Sequence, residues 1–375
     1  METYVLNLSN SLVSCGHTVD VLTVNTKNVS REETLDNKIK IYRCTPIIKY
    51  REIYISLELI RKLLVARDYD IYHVHVPFFL GLEMSIIASF INSIPLLVTH
   101  HGEGASGKTD IAYTIMTKIY KIYLWFTRTV SFLLANRIVF YTKSYAKALG
   151  LSKKVRGKIT IIRPGVDIIR FSPSNDGSKI RTKHALKKDD KVILFVGSLA
   201  KSHLYKGVNC LINAFNIARQ QCNSIKLVIV GGGDLSIDLK HYVKNIRLEH
   251  EIIFTGAIPY DEIHRYYAMC DIFVLPSIAG PESYGLVVIE AMASGKSVII
   301  SDLPGVNENV EDEITGLKIK PGDENALAQA ILRLAINDSM RLKMGKQARK
   351  QVELATWEAC ASQYIDTYLQ IAEKN

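Results

Sequence analysis

Short apolar runs alternate with helix-length amphipathic segments along the whole chain. Strand-like runs fall at 19–24, 39–43, 71–76, 96–100, 137–141 and 158–162, and again at 192–196, 226–230, 252–255, 272–275 and 297–301. Helical patterns occupy most of the gaps, at 2–15, 54–67, 82–92, 114–135, 144–149, 207–222, 236–248, 260–269 and 326–337. Runs that are apolar at every position suit a sheet covered on both faces. Their regular alternation with helices predicts an α/β fold built from doubly wound parallel sheets. A polar, charged stretch at 172–191 interrupts the pattern and reads as a linker. The expected organisation is therefore a first domain at 1–171, the linker 172–191, a second domain at 192–355, and a terminal segment 356–375 whose helix opens at Trp357.

Length and composition agree with two domains. The chain has 375 residues, long for one core, and 48% of them are hydrophobic. The net charge of +10 suits phosphate-bearing ligands, nucleic acid or an anionic membrane surface. No arginine-rich block or aromatic–basic interleaving points to nucleic acid, so none is expected as a partner. The six cysteines are scattered without metal-ligand spacing and read as reduced packing residues of a cytoplasmic protein. The opening residues METYVLNLSN lack the basic start and cleavage site of a secretion signal. The apolar segment 76–98 is broken by Pro77, Gly81, Glu83, Asn92 and Pro95, which favours strand, loop and helix over a membrane span. The aromatic-rich segment 122–140 reads either as a core-facing helix or as an amphipathic helix touching lipid.

The densest chemistry lies between Phe273 and Ser301, FVLPSIAGPESYGLVVIEAMASGKSVIIS. A buried strand ends at Pro276, Gly280 and Pro281 break the chain, and a helix runs from Leu286 towards Gly295, whose residue type suits a left-handed helix end. Glu282 then stands at the helix entrance and Glu290 eight residues on, roughly 12 Å away along the axis. Between them lie the free amides of the first helical turn, which opens at Leu286, a ready site for phosphate. Two carboxylates flanking phosphate-binding amides would match a ligand with hydroxyls at both ends and a diphosphate between. Taken alone, the same spacing also describes a helix cap and a solvated helix residue.

The wider segment resembles the retaining glycosyltransferases of the GT-B fold, the group 1 or family 4 type. Their pattern is two glutamates separated by seven residues, with Ser-Phe/Tyr-Gly after the first and Glu-Ala-Met-Ala-x-Gly around the second. Glu282-Ser283-Tyr284-Gly285 and Glu290-Ala291-Met292-Ala293-Ser294-Gly295 match it throughout. The resemblance implies two Rossmann-like domains: an N-terminal one for the acceptor and a C-terminal one for a nucleoside-diphosphate sugar. It implies that the terminal helix returns to the N-terminal domain.

The resemblance also assigns roles. Lys206, in Tyr205-Lys206-Gly207 after the strand at 192–196, becomes the cation on the donor diphosphate, and Ser198 stands where the family usually has an arginine. Gly233 of the triplet Gly231-Gly232-Gly233 lies in a loop near the nucleotide, and Ile258 in the loop near its base. Glu282 would hold donor-sugar hydroxyls, Glu290 the ribose. His101, in His100-His101-Gly102-Glu103 at a strand end, would reach the transferring sugar; His75 is a candidate for the acceptor cleft. Arg163-Pro164-Gly165-Val166-Asp167 reads as a structural turn.

The family's chains open with a strand and a Gly-Gly loop before the first helix; here Glu2 already begins that helix, so the expectation is an N-terminal sheet with its first strand missing. The implied activity is transfer of a hexose from a nucleoside-diphosphate sugar to an acceptor hydroxyl on a glycan or lipid-linked glycan, with retention of configuration. No cofactor or metal is implied. The basic charge suits a peripheral contact at the cytoplasmic membrane face. A nucleotide-sugar epimerase and a non-catalytic nucleotide-sugar binder stand as alternatives.

Overall fold

The computed structural model describes residues 2–26, 29–35, 38–50, 53–102, 123, 129–280 and 282–373. Glu103, Pro281 and most of the helix expected at 114–135 lie outside them. The described chain divides into two compact units, one comprising residues up to 165 together with those from 357 onward, the other spanning 166–356.

The first unit contains strands β1 (Val19–Val24), β2 (Glu32–Leu35), β3 (Ile39–Cys44), β4 (Ile48–Tyr50), β5 (Ile53–Ile55), β6 (Tyr72–Val76), β7 (Leu96–His100), β8 (Arg137–Phe140) and β9 (Ile159–Ile161). They form two main sheets, β1-β3-β2 and the parallel β6-β7-β8-β9, besides the small β4-β5 hairpin. Among the described residues β1 pairs with β3 alone and β6 with β7 alone, so both are edge strands.

The sequence YHVHV of β6 alternates, so its side chains point to opposite faces. Tyr72, Val74 and Val76 face an apolar core with Leu96, Val98, Ile138 and Phe140, covered by Leu82 and Ala88 of helix Gly81–Asn92. The histidines face the other way, towards helices Glu2–Ser14 and Trp357–Ala372. The Tyr364 hydroxyl of the terminal helix shares hydrogen bonds of 2.9 Å with Tyr4 and with Thr99 of β7, and Trp357 meets Tyr4 edge-on at 5.1 Å. Helix Trp357–Ala372 thus belongs to the first unit.

The second unit contains β10 (Lys191–Val196), β11 (Ile225–Val230), β12 (Ile252–Gly256), β13 (Ile272–Leu275), β14 (Ser297–Ser301) and β15 (Gly316–Ile319). They form one parallel sheet in the order β12-β11-β10-β13-β14-β15. Every residue of β13 and β14 is buried, as the continuous apolar runs require. From β10 the sheet grows outward through β11 and β12, then resumes from the other side of β10 with β13. Reversals of this kind open a crevice at the carboxyl ends of the two strands, here β10 and β13.

Three expectations are corrected. The stretch 172–191 is not a linker but part of the second unit. It forms helix Ser178–Lys183, buries Ile180 and Leu186, and Arg181 donates to the Met269 carbonyl at 3.0 Å and to Asp271 at 2.7 Å. Its polar composition reflects exposure of most side chains, while two apolar residues anchor it. The division between units falls after Gly165 rather than after Phe171. There, Asp167 accepts from the amides of Ile169 and Arg170 at 3.1 and 2.9 Å, which fits the structural turn. Strands β2, β4, β5 and β15 and helix Asp338–Val352 were not anticipated. That helix is polar along most of its length but buries Met344, Ala348 and Val352, with Gly345 beside them where a Cβ would lie 2.2 Å from the Gly295 carbonyl oxygen.

Candidate functional site

The crevice between β10 and β13 receives the two loops richest in chemistry. After β10 the chain makes a 3₁₀ turn, Lys201–Lys206, and leaves it at Gly207 with φ +70°. A Cβ at Gly207 would sit 2.1 Å from the Pro276 carbonyl, so only glycine permits the loop after β13 to pass so close. The Ile278 amide donates to the Tyr205 carbonyl at 2.7 Å. These backbone contacts lace the two loops together and bring Lys206 Nζ to 3.1 Å from Glu282 Oε2, although the residues are 76 apart in sequence. The side chains are 14% and 12% exposed. Burial works against the lysine charge, but the Glu282 carboxylate outweighs it and holds the pKa above the usual lysine value. The Ser277 hydroxyl lies 3.5 Å from the same carboxylate oxygen.

The helix that follows, Leu286–Ala293, is entered through Gly285 at φ +78° with no side-chain cap. The Val288 amide donates to the Gly285 carbonyl at 2.9 Å, and the amides of Leu286 and Val287 before it have no carbonyl a full turn back within the helix. The loop is held from below: a Cβ on Gly305 would meet the Glu282 carbonyl at 2.3 Å, and Asn309 donates to the Tyr284 carbonyl. Lys206, Glu282 and residues 283–286 are thus brought to one helix entrance.

Glu290 sits on the second turn of that helix and points to different neighbours. Its Oε2 accepts from the Tyr267 hydroxyl at 2.7 Å; Tyr260 also hydrogen-bonds it and the Arg170 charge acts on it. Burial pushes its pKa up to about 7, opposed by the two tyrosines and Arg170. The tyrosines were missed from sequence, although their seven-residue spacing in a helical stretch places Tyr260 and Tyr267 on one face. Gly233 and Gly231 carry a packing constraint: Cβ atoms there would lie 2.2 Å from the Leu199 carbonyl carbon and 1.8 Å from the Gly197 oxygen. Ser198 is exposed, its hydroxyl accepting from the Ala200 amide at 3.3 Å. Ile258 is partly exposed in the loop after β12. Lys201, on the same turn as Lys206, pairs with Asp238 at 3.3 Å.

His101 belongs to the first unit and has both ring nitrogens turned to protein groups. Nδ1 lies 2.7 Å from the Tyr141 hydroxyl and Nε2 lies 2.9 Å from Nδ1 of His75. Tyr4 packs edge-on to its ring at 4.9 Å. His73 is held likewise, between Tyr368 and Thr99 at 2.7 Å each. Burial holds His73 and His101 well below the ordinary histidine pKa and lowers His75 to about 3, so all three are neutral at pH 7. Among the described residues no group of three or more His, Cys, Asp or Glu could hold a metal ion.

Two α/β units with parallel sheets and a lysine–carboxylate pair at a crevice-facing helix entrance define the class. The description "Glycosyltransferase Family 4" matches residues 1–170 and "Glycosyl transferases group 1" matches residues 176–351. The chain belongs to the group 1 glycosyltransferases of the GT-B fold. Over 374 residues it is 26% identical to an uncharacterized glycosyltransferase of Methanocaldococcus jannaschii, covering 96% of this chain and 92% of the relative. It is 27% identical over 344 residues to the alpha-monoglucosyldiacylglycerol synthase of Streptococcus pneumoniae, covering 90% and 75%. Among solved structures, sucrose-phosphate synthase from Thermosynechococcus elongatus matches with a TM-score of 0.78 at 24% identity, covering 100% of this chain and 94% of that one. HepE of Anabaena, solved in complex with UDP-glucose, matches with a TM-score of 0.72 at 20% identity, covering 94% and 100%. No helix among the described residues is long and apolar enough to cross a membrane.

Proposed function

We propose that this glycosyltransferase moves a hexose from a nucleoside-diphosphate sugar to an acceptor hydroxyl with retention at the anomeric carbon. The observation that carries the reading is the Lys206–Glu282 pair at 3.1 Å beside the uncapped entrance of helix Leu286–Ala293. The difficult step is departure of the diphosphate from an oxocarbenium-like centre. Lys206 and the first-turn amides are preorganised donors for the negative charge that develops on it. Glu282 accepts from donor-sugar hydroxyls once the ligand shares Lys206 with it. Glu290 accepts from the ribose. The bound UDP-glucose of HepE supports the donor class by analogy of fold.

His101, neutral and held by Tyr141 and His75, would present its ring to the sugar as a fixed surface rather than as a proton carrier. The acceptor is assigned to the first unit. A lipid-linked acceptor at the cytoplasmic membrane face is supported by exposed Ile87, Phe90 and Ile91, which share one face of helix Gly81–Asn92, and by exposed Arg61 on the neighbouring helix Leu57–Val65.

The test is a thermal-shift series with UDP, GDP, ADP and their sugars. A ligand that binds the native state raises the melting temperature by mass action. One base family should stabilise the protein, and Glu290→Ala should abolish the shift. A wild-type protein stabilised by none of them would remove the donor assignment.

A further inference from the structure

Glu290 is a flexible side chain on a helix surface, yet it is held from one side. Tyr267 is fully buried, packed against Phe171 at 5.5 Å with the rings nearly perpendicular and against Phe273 at 5.7 Å. Its ring has no room to swing, so its hydroxyl points at one place, Glu290 Oε2, 2.7 Å away. The groups facing the carboxyl are Tyr267 and Tyr260 from helix Tyr260–Met269 and Arg170 from the turn at Asp167; Arg170 itself pairs with Asp167 at 3.7 Å and Asp261 at 3.4 Å. A carboxylate offers about four acceptor sites. Two tyrosine hydroxyls occupy two, and the partly exposed carboxyl keeps two for a ligand.

We infer that Tyr267 is a positioning residue that fixes the Glu290 carboxylate to accept from the vicinal 2′ and 3′ hydroxyls of a ribonucleoside diphosphate. The inference rests on the donor reading above. It adds that the nucleotide affinity depends on one carboxyl whose ionisation Tyr267 favours, because a hydroxyl donating to a carboxylate stabilises the charged form. With Glu290 titrating near 7, ribonucleotide binding should strengthen as pH rises through neutrality.

The experiment is calorimetric titration of the full chain with UDP, GDP and ADP from pH 5.5 to 9, for wild type and Tyr267→Phe. Each is repeated with the 2′,3′-dideoxy form of the nucleotide that binds. Loss of the hydroxyl should move the binding midpoint up by roughly one pH unit. The ribonucleotide then binds at least about five-fold weaker at pH 7, and the loss narrows by pH 9, where the carboxyl is ionised in both proteins and only its looser positioning remains. The dideoxy nucleotide should bind both proteins equally. A loss of equal size at every pH, or an equal loss for the dideoxy nucleotide, would show that Tyr267 only supports the fold and would overturn the inference. Absence of any nucleotide binding to wild type would sink the donor reading and this inference with it; binding with an unshifted midpoint sinks this inference alone. Should Tyr267→Phe not fold, 3-fluorotyrosine at 267, a stronger donor than tyrosine whose buried hydroxyl stays protonated through neutrality, must move the midpoint down, and an unmoved midpoint is again a refutation.

Discussion

Acidification is the sharpest probe of the first unit. His73, His75 and His101 lie within one hydrogen-bonded aromatic cluster and resist protonation in the native state. In the unfolded chain each titrates near pH 6.5. A group whose native pKa is depressed below its unfolded value binds more protons when unfolded, so for these bases stability is lost as pH falls below about 6.5. Between pH 7.5 and 5.0 each unfolded histidine gains about 2 kcal/mol from protonation that the native ring forgoes, or about 6 kcal/mol for three. This is an upper bound, because each ring keeps a fraction of its surface exposed. It is nevertheless comparable with the whole stability of an ordinary domain, about 5–15 kcal/mol. Glu290 opposes the trend, so urea unfolding is best followed in a Glu290→Gln background, with fluorescence of Trp357 beside Tyr4 as the reporter. In parallel, ring-proton NMR of the ten histidines should show three that do not titrate above pH 5. If all ten titrate with midpoints above 6, or if unfolding free energy falls by less than about 1 kcal/mol over this range, the reasoning is wrong.

Three further outcomes are expected. Lys206→Ala removes the partner of a mostly buried carboxylate; it should cost roughly 1–3 kcal/mol in urea unfolding and lower kcat by at least about 100-fold in a sugar-transfer assay. Gly207→Ala puts a Cβ against the Pro276 carbonyl in a left-handed conformation and should destabilise by roughly 2–4 kcal/mol, whereas Gly150→Ala, at φ +62° with nothing within 4 Å, should cost only about 1–2 kcal/mol; equal midpoints for the two would discount the lacing of the loops. Glu290→Gln should gain on wild type as pH rises, since an acid with a raised native pKa destabilises the fold progressively between its unfolded value near 4.5 and its native value near 7. The relative gain should reach up to about 3 kcal/mol above pH 7, read from unfolding midpoints at pH 4.5 and 8.

Much of the second unit is legible without coordinates. Five of its six strands are largely apolar runs that local pattern finds; β15, four residues with Lys318 among them, is too short and mixed to stand out. Glu282, Tyr284 and Gly285 are near neighbours in sequence, so their arrangement at a helix entrance is a local matter. The polar helices were harder: Ser178–Lys183 is short and buries Ile180 alone, and in Asp338–Val352 the buried stripe of Met344, Ala348 and Val352 is sparse among charged residues. The stretch 172–191 misled for the same reason, since exposure and absence of structure look alike in composition.

Residue types and local spacing by themselves determined the parallel α/β architecture and the presence of acidic and basic groups at strand and helix ends, because backbone periodicity and helix termini are short-range properties. Which of those groups meet was decided only by the order of strands in the sheets. That order brings Lys206 onto Glu282 across 76 residues and His75 onto His101 across 26. Burial then set their charge states, leaving three histidines neutral and one glutamate poised near pH 7. Charge state is a property of what surrounds a side chain, and the surroundings exist only after distant segments have packed.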